Sequence, residues 1–326
     1  MNTPVLDIRD LRVRFDTDEG PVLAVDGLSL SVAENEVLAV VGESGCGKSV
    51  TSLAVLGLTP PHARVSGSIR LCGRELTTLP NKQLRHIRGR EVAMVFQEPM
   101  SSLNPVFTVG RQIGEVLTRH EGLSKKSARA RTVELLDLVR IPAAASRLDE
   151  YPHQLSGGMR QRVMIAMAVA CNPKLIIADE PTTALDVTIQ AQVLDILRQL
   201  RRDLGTAVVL ITHNLGVVAD IADRVVVMYA GHKVEQGGVA ELFANPQHPY
   251  TAGLLGAVPH GGDRSRLVEI PGLVPVLREK PAACVFSQRC SRVQHDCEQL
   301  MPEVTETSAG QFAACLHPGS REVLTP

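Results

Sequence analysis

The chain has 326 residues, of which 44% are hydrophobic and 21% are charged, so it can fold into one large domain and a smaller one. A formal net charge of -1, 3% aromatic residues and no Trp argue against nucleic acid as a partner, because neither a positive field nor many stacking side chains are available. The longest apolar run, residues 163–171, is about half of a membrane span, and the first residues lack the pattern of a secretory signal. We therefore expect a globular cytoplasmic protein with reduced thiols.

The N-terminal part of the sequence predicts strands that lead into a glycine-rich loop. Residues 5–13 and 27–32 alternate between apolar and polar side chains, as half-buried strands do, and 36–41 is a short apolar run typical of a buried strand. Asn35 precedes this third strand at a place where the chain must turn, so we expect it to adopt a left-handed backbone conformation. A helix is predicted over about 49–58.

The glycine-rich loop over residues 42–49 fits the pattern G-x-x-x-x-G-K-[ST], with a predicted strand before it and a predicted helix after it. In such a loop the backbone wraps the phosphates, Lys48 reaches the terminal phosphates and Ser49 ligates magnesium. A glycine-rich turn that merely precedes a helix is the alternative, and the pairing of Lys48 with Ser49 argues against it. The predicted nucleotide-binding residues of the loop are Gly42, Glu43, Ser44, Gly45, Cys46, Gly47, Lys48 and Ser49.

After this loop, predicted strands and helices alternate. The strands fall at 91–96, 175–178, 206–212 and 225–229, and the helices fall within 108–139 and at 160–170 and 188–204. This alternation indicates an α/β fold with a largely parallel sheet, into which a helical lobe over about 100–170 is inserted. The pattern changes beyond about Gln236, and nine of the twenty prolines lie from Pro246 onward. We expect a main domain over 1–258 and a loop-rich extension over 259–326.

Polar residues follow three of the predicted strands, at the sheet edge where ligands bind in open α/β folds. Asp179 would hold magnesium, usually through water, and Glu180 would orient and polarise the attacking water. Gln97 would touch the metal or the water, and His213 would donate a hydrogen bond to the terminal phosphate. Each of the four is also explained as an ordinary polar residue at a strand end. We favour the catalytic roles because an intact phosphate loop accompanies them.

A second glycine-containing segment, residues 155–159, stands before the helix predicted at 160–170. Ser156, Gly157 and Gly158 would open that helix and give it an anion-binding amino end. Because the phosphate loop already serves the chain's own nucleotide, we expect this helix start to contact the terminal phosphate of ATP on another subunit. A serine-capped helix start without a ligand is the common alternative.

Together these segments resemble the ATP-binding subunits of ATP-binding-cassette (ABC) transporters over about residues 5–236. The matching motifs are the Walker A loop 42–49, the Q-loop residue Gln97, the signature 155–159, the Walker B strand 175–180, the D-loop 184–186 and the H-loop residue His213. The resemblance implies a P-loop ABC ATPase core with ATP and Mg²⁺ as ligands. It also implies that Asp186 belongs to the nucleotide site and that Phe15 is the aromatic residue that stacks on adenine.

Finer features resemble the dipeptide, oligopeptide and nickel importers of that family. They are the segments 97–105 and 247–251, the Pro271-Gly272 turn and the cysteine-bearing tail. The resemblance implies the ATP-hydrolysing subunit of a di- or oligopeptide importer, paired with a second homologous ATPase subunit as a heterodimer. It further implies two transmembrane permease subunits, an extracytoplasmic solute-binding protein and a peripheral place on the cytoplasmic face of the inner membrane. The alternative is a soluble ABC ATPase of DNA repair or translation, whose long heptad insertions or second cassette the sequence lacks.

Four of the seven cysteines crowd into the extension: Cys284, Cys290, Cys297 and Cys315. Disulfides fit a reducing compartment poorly, which leaves a metal site or chance. Zinc usually shows C-x₂₋₄-C spacing, which is lacking here, although His295 and His317 would complete a mixed site. The wider spacing also suits a four-thiolate iron-sulfur cluster. The resemblance to peptide-importer ATPases implies that the four cysteines hold a 4Fe-4S cluster with a structural role.

Overall fold

The computed structural model describes residues 3–98, 102–183, 186–257 and 270–319. Its contacts divide the chain into two units. The first unit comprises residues 1–5, 32–36 and 78–210, and the second comprises residues 6–31, 37–77 and 211–326. Each unit is therefore assembled from segments that are distant in the sequence.

The described residues form the following strands and α-helices. The strands are β1 (Leu6–Thr17), β2 (Gly20–Val32), β3 (Val37–Val41), β4 (Ala63–Leu71), β5 (Arg74–Glu75), β6 (Val92–Val95), β7 (Leu175–Asp179), β8 (Ala207–Ile211), β9 (Arg224–Tyr229), β10 (His232–Gly238), β11 (Thr305–Ser308) and β12 (Gln311–Ala313). The α-helices are α1 (Lys48–Leu56), α2 (Asn81–Ile87), α3 (Val109–His120), α4 (Lys125–Leu138), α5 (Ala144–Arg147), α6 (Gly157–Val169), α7 (Val187–Leu204), α8 (Leu215–Ile221), α9 (Val239–Ala244) and α10 (Pro249–Gly256). Within the described part of the chain, none of these helices is long and apolar enough to cross a membrane.

One sheet of the second unit has the strand order β2-β1-β4-β5. β1 and β4 run antiparallel, with Phe15 opposite Ala63. At the tip of the β1-β2 hairpin, the Thr17 hydroxyl donates a hydrogen bond of 2.7 Å to the carbonyl of Gly20. One face of β1 is buried, as its alternating pattern predicts. The buried side chains on it are Leu6, Ile8, Leu11 and Val13.

A second set of strands in the same unit follows the order β11-β12-β10-β9-β3. β3 and β9 are parallel, and their continuous apolar runs are buried. β10 pairs antiparallel with β9 and with β12, where Glu235 lies opposite Ala313. β11 and β12 come from the C-terminal extension. The segment predicted to be loop-rich therefore adds two short strands to this sheet.

Aromatic rings tie the extension to the same unit. Tyr229 of β9, Tyr250 of α10 and Phe286 of the extension have ring centroids 4.8 to 5.4 Å apart. The two tyrosines are fully buried and Phe286 is 3% exposed. Burial of a large apolar side chain stabilises a fold by roughly 1.5–3 kcal/mol. The extension thus shares the hydrophobic core of the second unit.

In the first unit, β8, β7 and β6 lie side by side, and β6 is parallel to β7. The helical spacing predicted within 108–139 becomes the two helices α3 and α4. The chain changes direction at Gly122, whose φ is 67°, and Ser124 then caps α4 by accepting a hydrogen bond from the N–H of Ser127. The helices α3 to α6 all fall within the predicted lobe.

Asn35 has a φ of 58°, so the predicted left-handed conformation is confirmed. Its N–H donates to the carbonyl of Gly205, 3.2 Å away, at the end of α7. Gly205 is itself left-handed, with a φ of 64°. Two tight turns therefore meet at this point of the first unit.

Candidate nucleotide-binding site

The phosphate loop joins β3 to α1, and two of its glycines are required by close packing. Gly42 and Gly47 have φ values of 151° and 98°. A Cβ atom would lie 2.2 Å from the carbonyl oxygen of Met228 at Gly42, and 2.4 Å from that of Ala24 at Gly47. At Gly45 a Cβ atom would meet nothing within 4 Å. The loop is thus packed firmly against backbone at two points and open at a third, as a cradle for a ligand requires.

Lys48 stands at the start of α1 and is only 7% exposed. Its Nζ donates to the carbonyl oxygens of Gly42 and Glu43, both at 2.8 Å, so the ammonium group is held within the loop. Cys46 is buried beneath it, and burial raises the pKa of this thiol more than the neighbouring lysine lowers it. Cys46 therefore fills space as a neutral thiol, while Ser44 and Ser49 are exposed.

The carboxyl ends of β6 and β7 bring three predicted residues together in the first unit. The two strands are in parallel register, with Val95 opposite Ala178. Gln97 Nε2 donates to Glu180 Oε2 at 3.0 Å, and the Thr183 hydroxyl donates to the same oxygen at 2.8 Å. Both donors fix the orientation of the Glu180 carboxylate, and Asp179 precedes it as the last residue of β7.

Glu180 has a φ of 47°, a left-handed conformation that is uncommon for a residue other than glycine. The turn after β7 therefore aims this carboxylate in a direction that a continuing strand would not give. The amide and carboxylate groups gathered here offer oxygen atoms, which are the donors that Mg²⁺ prefers. Sequence reasoning did not identify Thr183 as a second donor to Glu180.

His213 lies in the second unit, beside the strand that enters the phosphate loop. The N–H of Thr212 donates to the carbonyl of Val40 in β3, at 3.3 Å. The His213 side chain is exposed, and Asn214 then caps α8 by accepting hydrogen bonds from two backbone N–H groups. His213 thus lies next to β3 in the second unit.

The two glycines that open α6 have different surroundings. Ser156 is the N-cap and accepts a hydrogen bond from the N–H of Met159. Gly157 is exposed, and a Cβ atom there would meet nothing within 4 Å. Gly158 is buried, and a Cβ atom there would lie 2.6 Å from Cγ2 of Ile189 in α7. Gly158 therefore serves packing, while Gly157 leaves open space at an anion-binding helix start.

Two other predicted residues have defined places. Asp186 caps α7, with Oδ1 accepting from the N–H of Ile189 at 2.9 Å, while residues 184 and 185 of the D-loop lie outside the described residues. Phe15 is half-buried near the end of β1, with its ring centroid 5.7 Å from that of His62. Asp186 is thus engaged as a helix cap, and Phe15 has an aromatic neighbour in the second unit.

The four cysteines of the extension line one cavity. Their backbone is tied locally, because the N–H of Cys284 donates to the carbonyl of Cys297 at 3.0 Å. Burial raises the pKa of Cys284 and Cys290 and raises that of Cys315 to about 11. These thiols would therefore need a cation to become thiolates at neutral pH.

The two histidines predicted as possible metal ligands have different partners in the structure. His317 lines the cavity, and its Nε2 lies 2.9 Å from Asp296 Oδ1. Asp296, Cys297 and His317 have ligand atoms within 4.8 Å of one another, which makes them a candidate metal group. His295 instead pairs with the Gln299 amide at 2.9 Å. Sequence reasoning did not identify Asp296, for which the spacing gave no signal.

Known proteins resemble the chain over most of its length. The family model described as ABC transporter matches residues 25–183, and that described as oligopeptide/dipeptide transporter, C-terminal region, matches residues 234–297. A peptide import ATP-binding protein of Brucella abortus (strain 2308) is 51% identical over 314 residues, which are 96% of this chain and 94% of that protein. The oligopeptide transport ATP-binding protein OppD of Haemophilus influenzae is 49% identical over 313 residues, 96% of this chain and 97% of that protein.

Among solved structures, the dimeric ATP-binding cassette MJ0796 bound to ADP and Pi aligns with a TM-score of 0.65. It is 27% identical and covers 72% of this chain and 98% of its own. The cassette fold is therefore shared with proteins of much lower sequence identity than the peptide-import relatives.

Proposed function

The chain belongs to the ABC transporter family, and we propose on that premise that it is the ATP-binding and ATP-hydrolysing subunit of an importer for dipeptides and oligopeptides. The observation that carries the peptide assignment is the match of residues 234–297 to the oligopeptide/dipeptide transporter C-terminal region. Relatives about half identical over 96% of the chain are named for peptide import and oligopeptide transport. The family and the P-loop ABC ATPase fold predicted from the sequence are thus confirmed.

ATP binds with its phosphates along the loop 42–47, where N–H groups and the amino end of α1 favour negative charge. Lys48 counters the charge of the terminal phosphates. Ser49, Gln97 and Asp179 would hold Mg²⁺, and their oxygen atoms fit that ion. When bound, the ion would neutralise the negative charge that develops on the phosphates. Phe15 stacks on the adenine ring in this proposal.

Hydrolysis in this proposal depends on Glu180, which orients the attacking water and polarises it. Gln97 and Thr183 support the role, because each donates to Glu180 Oε2 and restrains its rotation. His213 donates a hydrogen bond to the terminal phosphate. Removal of the Glu180 charge should therefore leave ATP binding intact and stop turnover.

A second homologous subunit completes the site in this proposal. Ser156 and Gly157 at the start of α6 contact the terminal phosphate of ATP bound to that companion, and the open space at Gly157 supports this role. Gly158 supports the helix through its packing, and Asp186, which caps α7, belongs to the nucleotide site. The heterodimer couples hydrolysis to two transmembrane permease subunits, supplied by an extracytoplasmic solute-binding protein. The chain would then lie peripherally on the cytoplasmic face of the inner membrane.

The C-terminal extension over 259–326, beyond a nucleotide-binding domain over 1–258, holds a structural 4Fe-4S cluster in this proposal. The ligands are Cys284, Cys290, Cys297 and Cys315, and their place around one cavity supports the assignment. The alternative is the mixed group of Asp296, Cys297 and His317, whose ligand atoms lie within 4.8 Å of one another and would suit a zinc ion. Protein purified without air should contain iron and acid-labile sulfide, and stoichiometric zinc alone would refute the cluster.

The decisive experiment compares Glu180→Gln with Glu134→Gln, a matched change on the exposed face of α4. Co-expressed with the neighbouring permease and ATPase genes, the Glu180 variant should bind MgATP normally and lose ATPase activity and peptide uptake into vesicles. The Glu134 variant should retain both. Unchanged turnover in the Glu180 variant would remove Glu180 from the chemistry, and failure to co-purify with permease subunits would favour a soluble ABC ATPase.

A further inference from the structure

The second residue of the phosphate loop is held by the cysteine-bearing extension. The Arg289 guanidinium donates to both carboxylate oxygens of Glu43, with Nη1 2.6 Å from Oε2 and Nη2 3.0 Å from Oε1. The two residues are 246 positions apart in the sequence. Two parallel N–H···O bonds of this kind are the strongest and most directional ion pair available to side chains.

The pair is shielded and its arginine is immobilised. The Arg289 side chain is 6% exposed, and that of Glu43 is 29% exposed. Arg289 Nε donates to the carbonyl of Pro271 at 2.7 Å and Nη2 donates to that of Ile270 at 3.2 Å. Nη1 also lies 3.4 Å from the Tyr229 hydroxyl oxygen. The planar guanidinium group of arginine, with its five N–H donors, suits this set of acceptors, whereas the ammonium group of lysine does not.

The backbone of Glu43 is fixed as well. Its N–H donates to the hydroxyl oxygen of Tyr250 at 2.8 Å. Tyr250 is fully buried and packs on Tyr229 and on Phe286 of the extension. Both the main chain and the side chain of Glu43 are therefore anchored to groups outside the loop.

Arg289 lies in a turn that also positions Cys284 and Cys290. The N–H of Arg289 donates to the carbonyl of Phe286 at 3.0 Å, and the N–H of Cys290 donates to that of Ser287 at 3.3 Å. Phe286, Ser287 and Cys290 line the cysteine cavity together with Cys284. The turn thus has the cavity on one side and the ion pair with the phosphate loop on the other.

We propose that Arg289 is a positioning residue of the nucleotide site, through which the C-terminal extension fixes the phosphate loop and sets its affinity for MgATP. The inference rests on the proposed binding of ATP by that loop. Glu43 places a carboxylate within a loop that receives a triphosphate, and such like charges repel at short range. Arg289 neutralises that carboxylate and fixes its orientation. Without Arg289, the loop would lose an anchor and acquire an uncompensated negative charge.

The test measures the Kd for MgATP by calorimetry on the full-length chain. Arg289→Gln should raise this Kd about 5- to 150-fold, the usual range for coupling between sites. Arg278→Gln is the matched control, because Arg278 also belongs to the extension but pairs with Glu19, 3.2 Å away, and should leave Kd unchanged. In the assembled ATPase, the loss should appear mainly in KM for MgATP and less in kcat.

Charge rescue separates this role from general support of the fold. Glu43→Gln introduced into the Arg289→Gln chain removes the uncompensated carboxylate, so it should lower Kd again, whereas a merely structural arginine would show no recovery. If Arg289→Gln does not fold, Arg289→Lys keeps the charge without the fork and should give an intermediate Kd. A folded Arg289→Gln protein with unchanged Kd refutes the inference alone. An unmodified chain that fails to bind MgATP would refute the proposed function as well.

Discussion

Alanine substitutions at Gly157 and Gly158 should separate the packing role of α6 from its proposed role in binding a phosphate. Both residues lie in the first turn of α6, so the change from glycine to alanine affects helix propensity similarly at the two positions. That contribution, at most about 1 kcal/mol in favour of alanine, cancels when the variants are compared. The remaining difference reflects what the new methyl group meets.

The added methyl at Gly158 would lie 2.6 Å from Cγ2 of Ile189, whereas carbon atoms pack at about 3.5–4.0 Å. Either α6 or Ile189 must shift, and overpacking of this kind costs roughly 1–3 kcal/mol. At Gly157 the methyl group enters open space and should cost nothing in stability. We therefore expect Gly158→Ala to be less stable than Gly157→Ala by about 1–3 kcal/mol.

For its small effect on stability, Gly157→Ala should have the larger effect on ATPase activity. In the proposed heterodimer, the added methyl group of Gly157→Ala would obstruct the approach of a companion's phosphate, so turnover should fall at least about tenfold, which corresponds to 1.4 kcal/mol. Urea denaturation measures the first effect and steady-state phosphate release measures the second. Ile189→Ala should restore stability to the Gly158 variant but not activity to the Gly157 variant. Equal destabilisation by both substitutions, or full turnover of Gly157→Ala, would refute the reasoning.

Two further predictions follow from local geometry. Gly47→Ala should abolish MgATP binding and destabilise the protein more than Gly45→Ala does, since both residues have positive φ but only Gly47 would collide with a backbone oxygen, that of Ala24 at 2.4 Å; equal effects in calorimetry and urea denaturation would contradict this. Burial alone would raise the pKa of Glu75, but hydrogen bonds from Ser68, from Thr77 and from backbone N–H groups outweigh it and lower the pKa to about 2. Because the pKa is lowered, this stabilisation is present above pH 4.5 and is lost as the pH falls towards 2. The free energy of unfolding of the unchanged chain should therefore exceed that of Glu75→Gln by on the order of 2 kcal/mol above pH 4.5, and urea titrations should show this difference disappear as the pH falls towards 2.

The sequence predicts those elements whose own residues show a clear pattern of apolar side chains or a recognisable motif. β3, β7 and β8 are buried along their whole length, and their unbroken apolar runs are visible in the sequence. The meeting of Gln97 with Glu180 was also accessible, because each follows a strand and the strands are parallel neighbours. The glycine-rich loop was recognisable because phosphate binding restricts both residue type and spacing.

Other elements gave no such signal. β4 has only two buried residues, Ile69 and Leu71, and its order comes from pairing with the distant strand β1. α2 has one buried residue, Ile87, so it lacks an apolar stripe. β11 and β12 are three or four residues long and depend on β10 for their position. In each case tertiary contacts supply what local propensity does not.

Amide side chains hold two polar segments of the first unit in place. The buried side chain of Gln112 in α3 accepts from the N–H of Asn104 and donates to the carbonyls of Asn104 and Phe107. This three-bond clamp fixes the backbone at Asn104 and Phe107 against α3, and Gln97 donates separately to Glu180. Hydrogen bonds weaken steeply when their distance or angle is disturbed, whereas closely packed apolar strands resist deformation. The orientation of the Glu180 carboxylate is therefore more sensitive to small local shifts than the buried strand β7 that precedes it.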